Sequence, residues 1–183
     1  CIGVGGDVAD VTTVRGLVEQ AVKTFGKLDI CVCNAGLTMW GDFFDYKPED
    51  FERVLNVNLR GSFFLSQAAA RQFREQGHGG RIVLMSSVTG HQAIPYIGAY
   101  AMTKTALEML AKNLVLELSP HGITINTVAQ GAVLTPRNLK DDPDYEANWA
   151  SVIPLRKAIQ TQDIANAVLF LVAPESEKIT GQT

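Results

Sequence analysis

Short apolar segments alternate with long amphipathic segments along the chain, and this alternation limits the fold more than any other feature. The apolar segments are rich in β-branched residues, as buried strands are, and they cover residues 28–33, 81–86 and 123–128. The amphipathic segments repeat apolar residues at helical spacing, and they cover residues 10–25, 48–74, 100–118 and 161–171. Strands that alternate with helices form right-handed βαβ units. The sequence therefore predicts an α/β fold, a doubly wound parallel sheet with helices on both faces.

The composition fits one domain that acts on small molecules. The chain has 183 residues, of which 46% are hydrophobic and 19% charged, which is enough for a single domain with a sizeable core. Its net charge is -3 and its Lys and Arg residues are scattered, so we expect neither a nucleic acid nor a membrane as partner. No apolar run reaches the roughly 18 residues of a membrane span, and we expect no leader before the first strand. We therefore expect a cytoplasmic protein.

The three cysteines predict no metal site. Cys31 and Cys33 are two residues apart in a predicted strand, so they share one face of the sheet. Neither has another Cys or a His close in sequence, apart from its neighbour, which favours a role as small buried apolar residues. Cys1 makes the number odd, and unpaired thiols suit a reducing compartment.

Unusual residues follow three of the predicted strands. These segments are Asn34-Ala35-Gly36, residues 86–90 and residues 130–135. Open parallel sheets bind their ligands in a crevice outside the carboxyl ends of the strands. We therefore expect the three segments to meet at one site.

Tyr100 and Lys104 are the residues of this site best suited to chemistry. They are four residues apart in a predicted helix, so their side chains lie on one face. A nearby cation favours the phenolate, so Lys104 is expected to lower the pKa of Tyr100 from about 10 towards neutrality and to make it a general acid or base. Ser87, at the neighbouring strand end, is placed to hydrogen-bond the substrate oxygen. Taken alone, such a pair also occurs by chance on helix surfaces.

Two asparagine-containing motifs accompany Ser87, Tyr100 and Lys104, namely Asn34-Ala35-Gly36 and Asn56-Val57-Asn58-Leu59. Because these residues occur in the order and spacing of the family's motifs, the chain resembles the classical short-chain dehydrogenase/reductase (SDR) family over nearly its whole length. The resemblance implies a Rossmann-like domain that binds NAD or NADP and moves a hydride. It implies that Tyr100 is the acid/base, that Ser87 polarises the substrate oxygen and that Lys104 also holds the nicotinamide ribose. Asn58 is then expected to anchor a water in the proton relay.

The same resemblance implies the residues that hold the cofactor. They are Asp7 and Val8 at the adenine, Asn34, Ala35 and Gly36 in a close turn, Tyr100 and Lys104 at the ribose, and Gly131, Val133 and Thr135 at the nicotinamide. Glycine suits the close turn because it lacks a Cβ. The chain departs from the family pattern where Cys33 replaces an Asn and Gln130 replaces a Pro. Neither departure removes a catalytic group.

Residues 136–160 are expected to form a substrate lid. The segment is polar and long for a connection between regular elements, which favours a functional role. We expect apolar walls and polar contacts suited to a polyol, sugar or ketone, from Trp149, Ile153, Leu155, Arg137, Asn138 and Asn148. Thr89 and His91, which follow Ser87, are further candidates for substrate contact, although a loop histidine is more often solvated.

Both ends of the chain differ from the family pattern. The family opens with a strand, a glycine-rich turn and a helix that bind the pyrophosphate, and these would precede Cys1. The residue that selects NAD or NADP would lie there, so this preference stays open. We expect a strand to end at Asp7 and another to begin at 179–182. Because the first strand of the family would be central to the sheet, we expect the chain to be part of a longer domain.

Several activities stay open at this point. The first is a dehydrogenase or reductase acting on a secondary alcohol, sugar or ketone, and a 3-oxoacyl thioester reductase is its close relative. A nucleotide-sugar epimerase or dehydratase shares the Tyr and Lys pair, but the turn at 34–36 favours the reductases. An inactive binding protein is the third class, and the complete set of catalytic groups argues against it. The resemblance also implies a homotetramer or homodimer, formed through helices that begin near Pro48 and Tyr100.

Overall fold

Helices and strands alternate along the chain as the hydrophobic pattern predicts. The computed structural model describes residues 1–183. Its helices are α1 (Val11–Phe25), α2 (Pro48–Leu55), α3 (Ser62–Gln76), α4 (Gly98–Leu118), α5 (Pro136–Asp141), α6 (Tyr145–Val152) and α7 (Thr161–Val172). Its strands are β1 (Ile30–Cys33), β2 (Gly80–Met85), β3 (Ile123–Val128), β4 (Val133–Leu134) and β5 (Ile159–Gln160). None of the helices is long and apolar enough to cross a membrane.

Local sequence signals set the ends of the first helix. The Asp10 carboxylate accepts hydrogen bonds from the backbone N–H groups of Thr12 and Thr13, both at 3.1 Å, and so caps α1. The helix ends at Gly26, whose φ of 82° is in the left-handed region that favours glycine. Between these ends, Val14 and Val18 are buried on one side of the helix.

The three longer strands form one parallel sheet in the order β1, β2, β3. The register pairs Cys33 with Leu84 and Leu84 with Thr127. All three strands therefore end at the same edge of the sheet, where the segments that follow them emerge together. The short strands β4 and β5 pair in parallel elsewhere.

The main core lies between this sheet and two helices. It includes Cys31 and Cys33 of β1, Phe73 of α3 and Leu107 of α4. The burial predicted for the two cysteines is confirmed, and their Sγ atoms lie 4.0 Å apart. On the other side, α7 contacts β2 and β3. The sheet is thus covered from both faces, as predicted.

Two predictions about the ends of the chain have different outcomes. The expected strand before Asp7 is wrong, because residues 1–6 are exposed and have no neighbouring strand with which to share backbone hydrogen bonds. Near the other end, Gly181 N–H donates to the Ile125 carbonyl at 2.7 Å, and Thr127 N–H donates to the Gln182 carbonyl at 2.8 Å. Residues 181 and 182 therefore run beside β3, which agrees with the expected entry into a strand.

Candidate active site

The chain between α2 and α3 widens into a π-helical turn at Asn56–Gly61, where the sequence has asparagines in a helix. Asn58 lies in this turn and is fully buried. Its Nδ2 donates to the Leu37 carbonyl at 2.9 Å, and its Oδ1 accepts from the Leu37 N–H at 2.8 Å. Nδ2 also donates to Thr103 Oγ1 on α4 at 3.2 Å. Asn58 therefore fastens the turn after β1 to α4.

Asn58→Leu is expected to lower the free energy of unfolding by about 1–3 kcal/mol, because it leaves both backbone groups of half-buried Leu37 without their partners. Urea unfolding followed by circular dichroism measures the change. Asn56→Ala in the same turn is the control, since Asn56 is exposed. An equal loss in both variants would contradict the anchoring role of Asn58.

Lys104 is buried beneath the site, with only 4% of its surface exposed. Its Nζ donates to the Met85 carbonyl at 2.7 Å, at the end of β2, and lies 5.2 Å from the centroid of the Tyr100 ring. The two side chains are therefore neighbours, as their spacing predicts. Burial disfavours the ammonium and lowers the pKa of Lys104 to about 8.

The pKa of Tyr100 differs from the sequence-based prediction. Burial raises this pKa, and the neighbouring hydroxyls of Ser87 and Thr38 only partly offset the rise. The expected lowering by Lys104 is therefore not seen in the structure, where Nζ lies near the ring and donates to Met85. At neutral pH, Tyr100 therefore holds its proton.

Ser87 and the segments after β2 and β3 are held together by backbone hydrogen bonds. Ser87 is buried, and its Oγ accepts from the Thr89 N–H at 3.3 Å. Val88 N–H donates to the Gln130 carbonyl at 3.0 Å. The predicted convergence of these strand ends is confirmed.

A cavity of about 940 Å³ opens at this edge of the sheet. Its wall contains predicted site residues from all three strand ends and from α4: Gly36, Ser87, Thr89, Tyr100, Gly131, Val133 and Thr135. Residues 136–160, which form α5 and α6, supply a further side of the wall through Arg137, Asn138, Tyr145, Asn148 and Trp149. The segment predicted as a lid thus borders the same cavity as Ser87 and Tyr100.

Some predicted residues lie away from this cavity. His91 is outside its lining, because the 3-10 turn Val88–Gly90 places the His91 Nε2 atom 3.1 Å from the carboxylate of Glu108. The expectation that Ile153 and Leu155 form its apolar walls is also wrong. Both follow the end of α6 outside the lining, and 84% of Leu155 is exposed.

The residues predicted to contact the adenine, and those predicted to form the close turn, lie near the larger cavity. Asp7 borders a separate cavity of about 400 Å³. The Val8 carbonyl packs so closely on Gly61 that a Cβ there would lie 2.8 Å from its oxygen. Asn34 and Ala35 are exposed in the turn after β1. These positions leave their predicted roles as proposals.

Sequence reasoning missed three residues beside the site. Thr38 and Tyr145 line the cavity, and burial raises the pKa of Tyr145, with a further rise from the nearby Tyr100 phenol. The position of Tyr145 within residues 136–160 was the available signal. Glu108 is buried behind Ser87, one helical turn after Lys104. Its helical spacing from Tyr100 and Lys104 was the signal there.

Comparisons with known proteins agree with this geometry. A family model described as enoyl-(acyl carrier protein) reductase matches residues 2–183. Glucose 1-dehydrogenase from Gluconobacter oxydans is 39% identical over 97% of this chain and 68% of its own length. A short-chain type dehydrogenase/reductase from Mycobacterium marinum has a TM-score of 0.93 at 34% identity, covering 99% of this chain and 72% of that one.

A further solved structure holds a cofactor. It is a gluconate 5-dehydrogenase from Burkholderia cenocepacia in complex with NADP and tartrate, with a TM-score of 0.89 at 33% identity, covering 97% of this chain and 70% of that one. The matches extend over nearly all of the chain, so they include every strand end that forms the cavity. The chain belongs to the short-chain dehydrogenase/reductase family.

Proposed function

We propose that the protein transfers a hydride between NAD or NADP and a secondary alcohol, sugar or ketone, with Tyr100 as the acid/base. The protein is an NAD(P)-dependent oxidoreductase by its family. The observation that carries the proposal is that Ser87 and Tyr100 share the wall of one cavity, with Lys104 buried behind the Tyr100 ring.

The residues around the cavity fit the nicotinamide half of such a cofactor. A Cβ at Gly36 would lie 3.4 Å from Asn58 Oδ1 and 3.6 Å from Lys104 Nζ, so Gly36 in the cavity wall lies directly beside the buried end of the lysine. We propose that Tyr100 and Lys104 hold the ribose, that Gly36 lets the cofactor lie close to the backbone, and that Gly131, Val133 and Thr135 hold the nicotinamide. The remainder of the cofactor is proposed to contact Asp7, Val8, Asn34 and Ala35. When bound, the cofactor supplies or accepts the hydride.

The chain's own groups handle the proton. In reduction, the Tyr100 hydroxyl donates its proton to the substrate oxygen as the carbonyl carbon becomes a secondary alcohol. In oxidation, the Tyr100 phenolate removes that proton. Ser87 holds the oxygen by a hydrogen bond. Asn58 is proposed to anchor a water that returns the proton to Tyr100.

The lining of the cavity favours a substrate with several polar groups. Arg137, Asn138 and Asn148 contribute polar side chains, and Trp149 contributes an apolar face. Thr89 Oγ1 and Gln130 Oε1 are buried in residues of the same wall without hydrogen-bond partners. This mixture supports a sugar, polyol or hydroxyketone over the long acyl chain of a 3-oxoacyl thioester. We propose that residues 136–160 act as the lid, within a single cofactor-binding domain formed by residues 1–183.

We propose that the protein is a cytoplasmic homotetramer or homodimer. Large apolar side chains are exposed along α3 and α4, including Phe63 at 41%, Met102 at 54% and Leu116 at 84%. Such exposure supports an interface along these helices. The free buried thiols of Cys31 and Cys33 suit a reducing compartment.

The test follows nicotinamide absorbance with NAD and NADP against a panel of sugars, polyols, ketones and 3-oxoacyl thioesters. We expect turnover of at least one sugar, polyol or ketone, and a loss of about 10²-fold or more in Ser87→Ala, because the substrate oxygen loses its donor. Ser119→Ala, at an exposed position after α4, is the control. Turnover of thioesters alone would refute the substrate class, and an unchanged rate in Ser87→Ala would refute the role of Ser87.

A further inference from the structure

Glu108 is a buried carboxylate that the proposed mechanism does not use. Only 5% of it is exposed, and it lies outside the lining of the cavity. It follows Tyr100 and Lys104 along α4 at intervals of four residues, so the three side chains share one face of the helix. A buried carboxylate needs close hydrogen-bond partners to offset its desolvation.

Those partners lie on both sides of Ser87. Oε1 of Glu108 accepts from Ser86 Oγ at 2.5 Å, and Oε2 lies 3.1 Å from His91 Nε2. Gly90 approaches so closely that a Cβ there would lie 2.7 Å from Oε1. One carboxylate therefore bridges the beginning and the end of residues 86–91, the segment that contains Ser87.

The same helix also holds Met85, the residue just before this segment, and Gly90 within it. Lys104 Nζ donates to the Met85 carbonyl at 2.7 Å, and Thr105 Oγ1 donates to the Gly90 carbonyl at 3.2 Å. The backbone contacts restrain the path of the segment. Glu108 adds the side-chain contacts on either side of Ser87, and it comes from the helix that contains Tyr100.

We infer that Glu108 is a positioning residue, which acts through Ser86 and His91 to fix the Ser87 hydroxyl relative to Tyr100. The inference rests on the proposed function, in which Ser87 and Tyr100 hold the same substrate oxygen. Their relative placement decides the rate, because a displacement of about 1 Å in an active site lowers it by about 10²-fold.

A double-mutant cycle tests the inference, with kcat and KM measured on the best substrate of the panel. We expect Glu108→Ala to lower kcat by about 10- to 100-fold in the otherwise unchanged protein, with a smaller change in KM. In the Ser87→Ala background, the same substitution is expected to change kcat less than about threefold, since the group that it positions is absent. Glu108→Gln keeps an oxygen that accepts from Ser86 and is expected to restore most of the rate.

Each outcome separates the inference from the proposed function. If Glu108→Ala lowers kcat equally in both backgrounds, its role is structural and the inference is overturned. If Ser87→Ala alone leaves kcat unchanged, the proposed role of Ser87 fails, and the inference falls with it. If Glu108→Ala does not fold, the same double-mutant cycle is measured with His91→Ala, whose side chain is 54% exposed. An equal loss of kcat in both backgrounds then also overturns the inference. Glu117→Ala, exposed on α4, is the control.

Discussion

Tyr100→Phe is expected to lower the turnover rate by about 10²–10⁴-fold while leaving the thermal unfolding temperature nearly unchanged. The substitution removes only the hydroxyl that is proposed to exchange a proton with the substrate. The aromatic ring remains, and with it the packing near Lys104. Nicotinamide absorbance measures the rate, and circular dichroism on heating measures stability.

The pH dependence of oxidation sharpens this prediction. Because burial raises the pKa of Tyr100, the phenolate that is proposed to accept the substrate proton becomes more populated as pH rises into the alkaline range. The oxidation rate is therefore expected to rise with pH, and this dependence is expected to disappear in Tyr100→Phe. Tyr96→Phe, at a side chain that is 60% exposed, is the control. A Tyr100→Phe enzyme with full rate would show that another group moves the proton.

Lys104→Met is expected to be more stable than the unsubstituted protein below pH 8, and this difference is expected to shrink as pH rises. Burial lowers the pKa of Lys104 from 10.5 to about 8, so the unfolded chain binds more protons than the folded one between these values. The unsubstituted protein therefore gains stability as pH rises from about 8 to 10.5. The shift corresponds to about 3 kcal/mol, reduced in the comparison by the lost hydrogen bond to Met85.

Urea unfolding between about pH 7 and about pH 11.5 measures this effect, since those values bracket the window in which the two states differ in bound protons. Lys112→Met, at an exposed position of α4, is the control and is expected to show no such trend. Parallel stability profiles for the unsubstituted protein and Lys104→Met would mean that the lysine is solvated. Lys104→Met is also expected to be nearly inactive. The buried lysine would then lower the stability of the folded protein while being required for its activity.

The fold was predictable from the sequence because its signals are local. Apolar periodicity indicates each main helix and strand, and the endings of parallel strands at one edge follow from the topology. The spacing of Tyr100 and Lys104 also predicts that they are neighbours, since both belong to one helix. The convergence of Ser87 with them followed from the topology, because Ser87 lies just after the end of a strand.

The features that escaped the sequence depend on three-dimensional surroundings. Helical spacing gives the separation of Tyr100 and Lys104, but their burial decides the direction in which each pKa moves. His91 lies beside Glu108 because a short 3-10 turn precedes it, and no periodicity in the sequence encodes that turn. The Thr135 hydroxyl accepts from the Asn138 N–H at 3.2 Å and so caps α5 within a segment expected to be irregular.

The division of the site between α4 and residues 136–160 bears on how new specificities are obtained. α4 packs into the main core through Leu107 and Ala111, whereas α5 and α6 have no buried residues. Substitutions in α5 and α6 therefore alter the cavity wall without disturbing the core that orients Tyr100 and Lys104. A library of variants confined to these two helices is the natural starting point for directing this protein to other alcohols, because most of its members retain the folded scaffold and its acid/base chemistry.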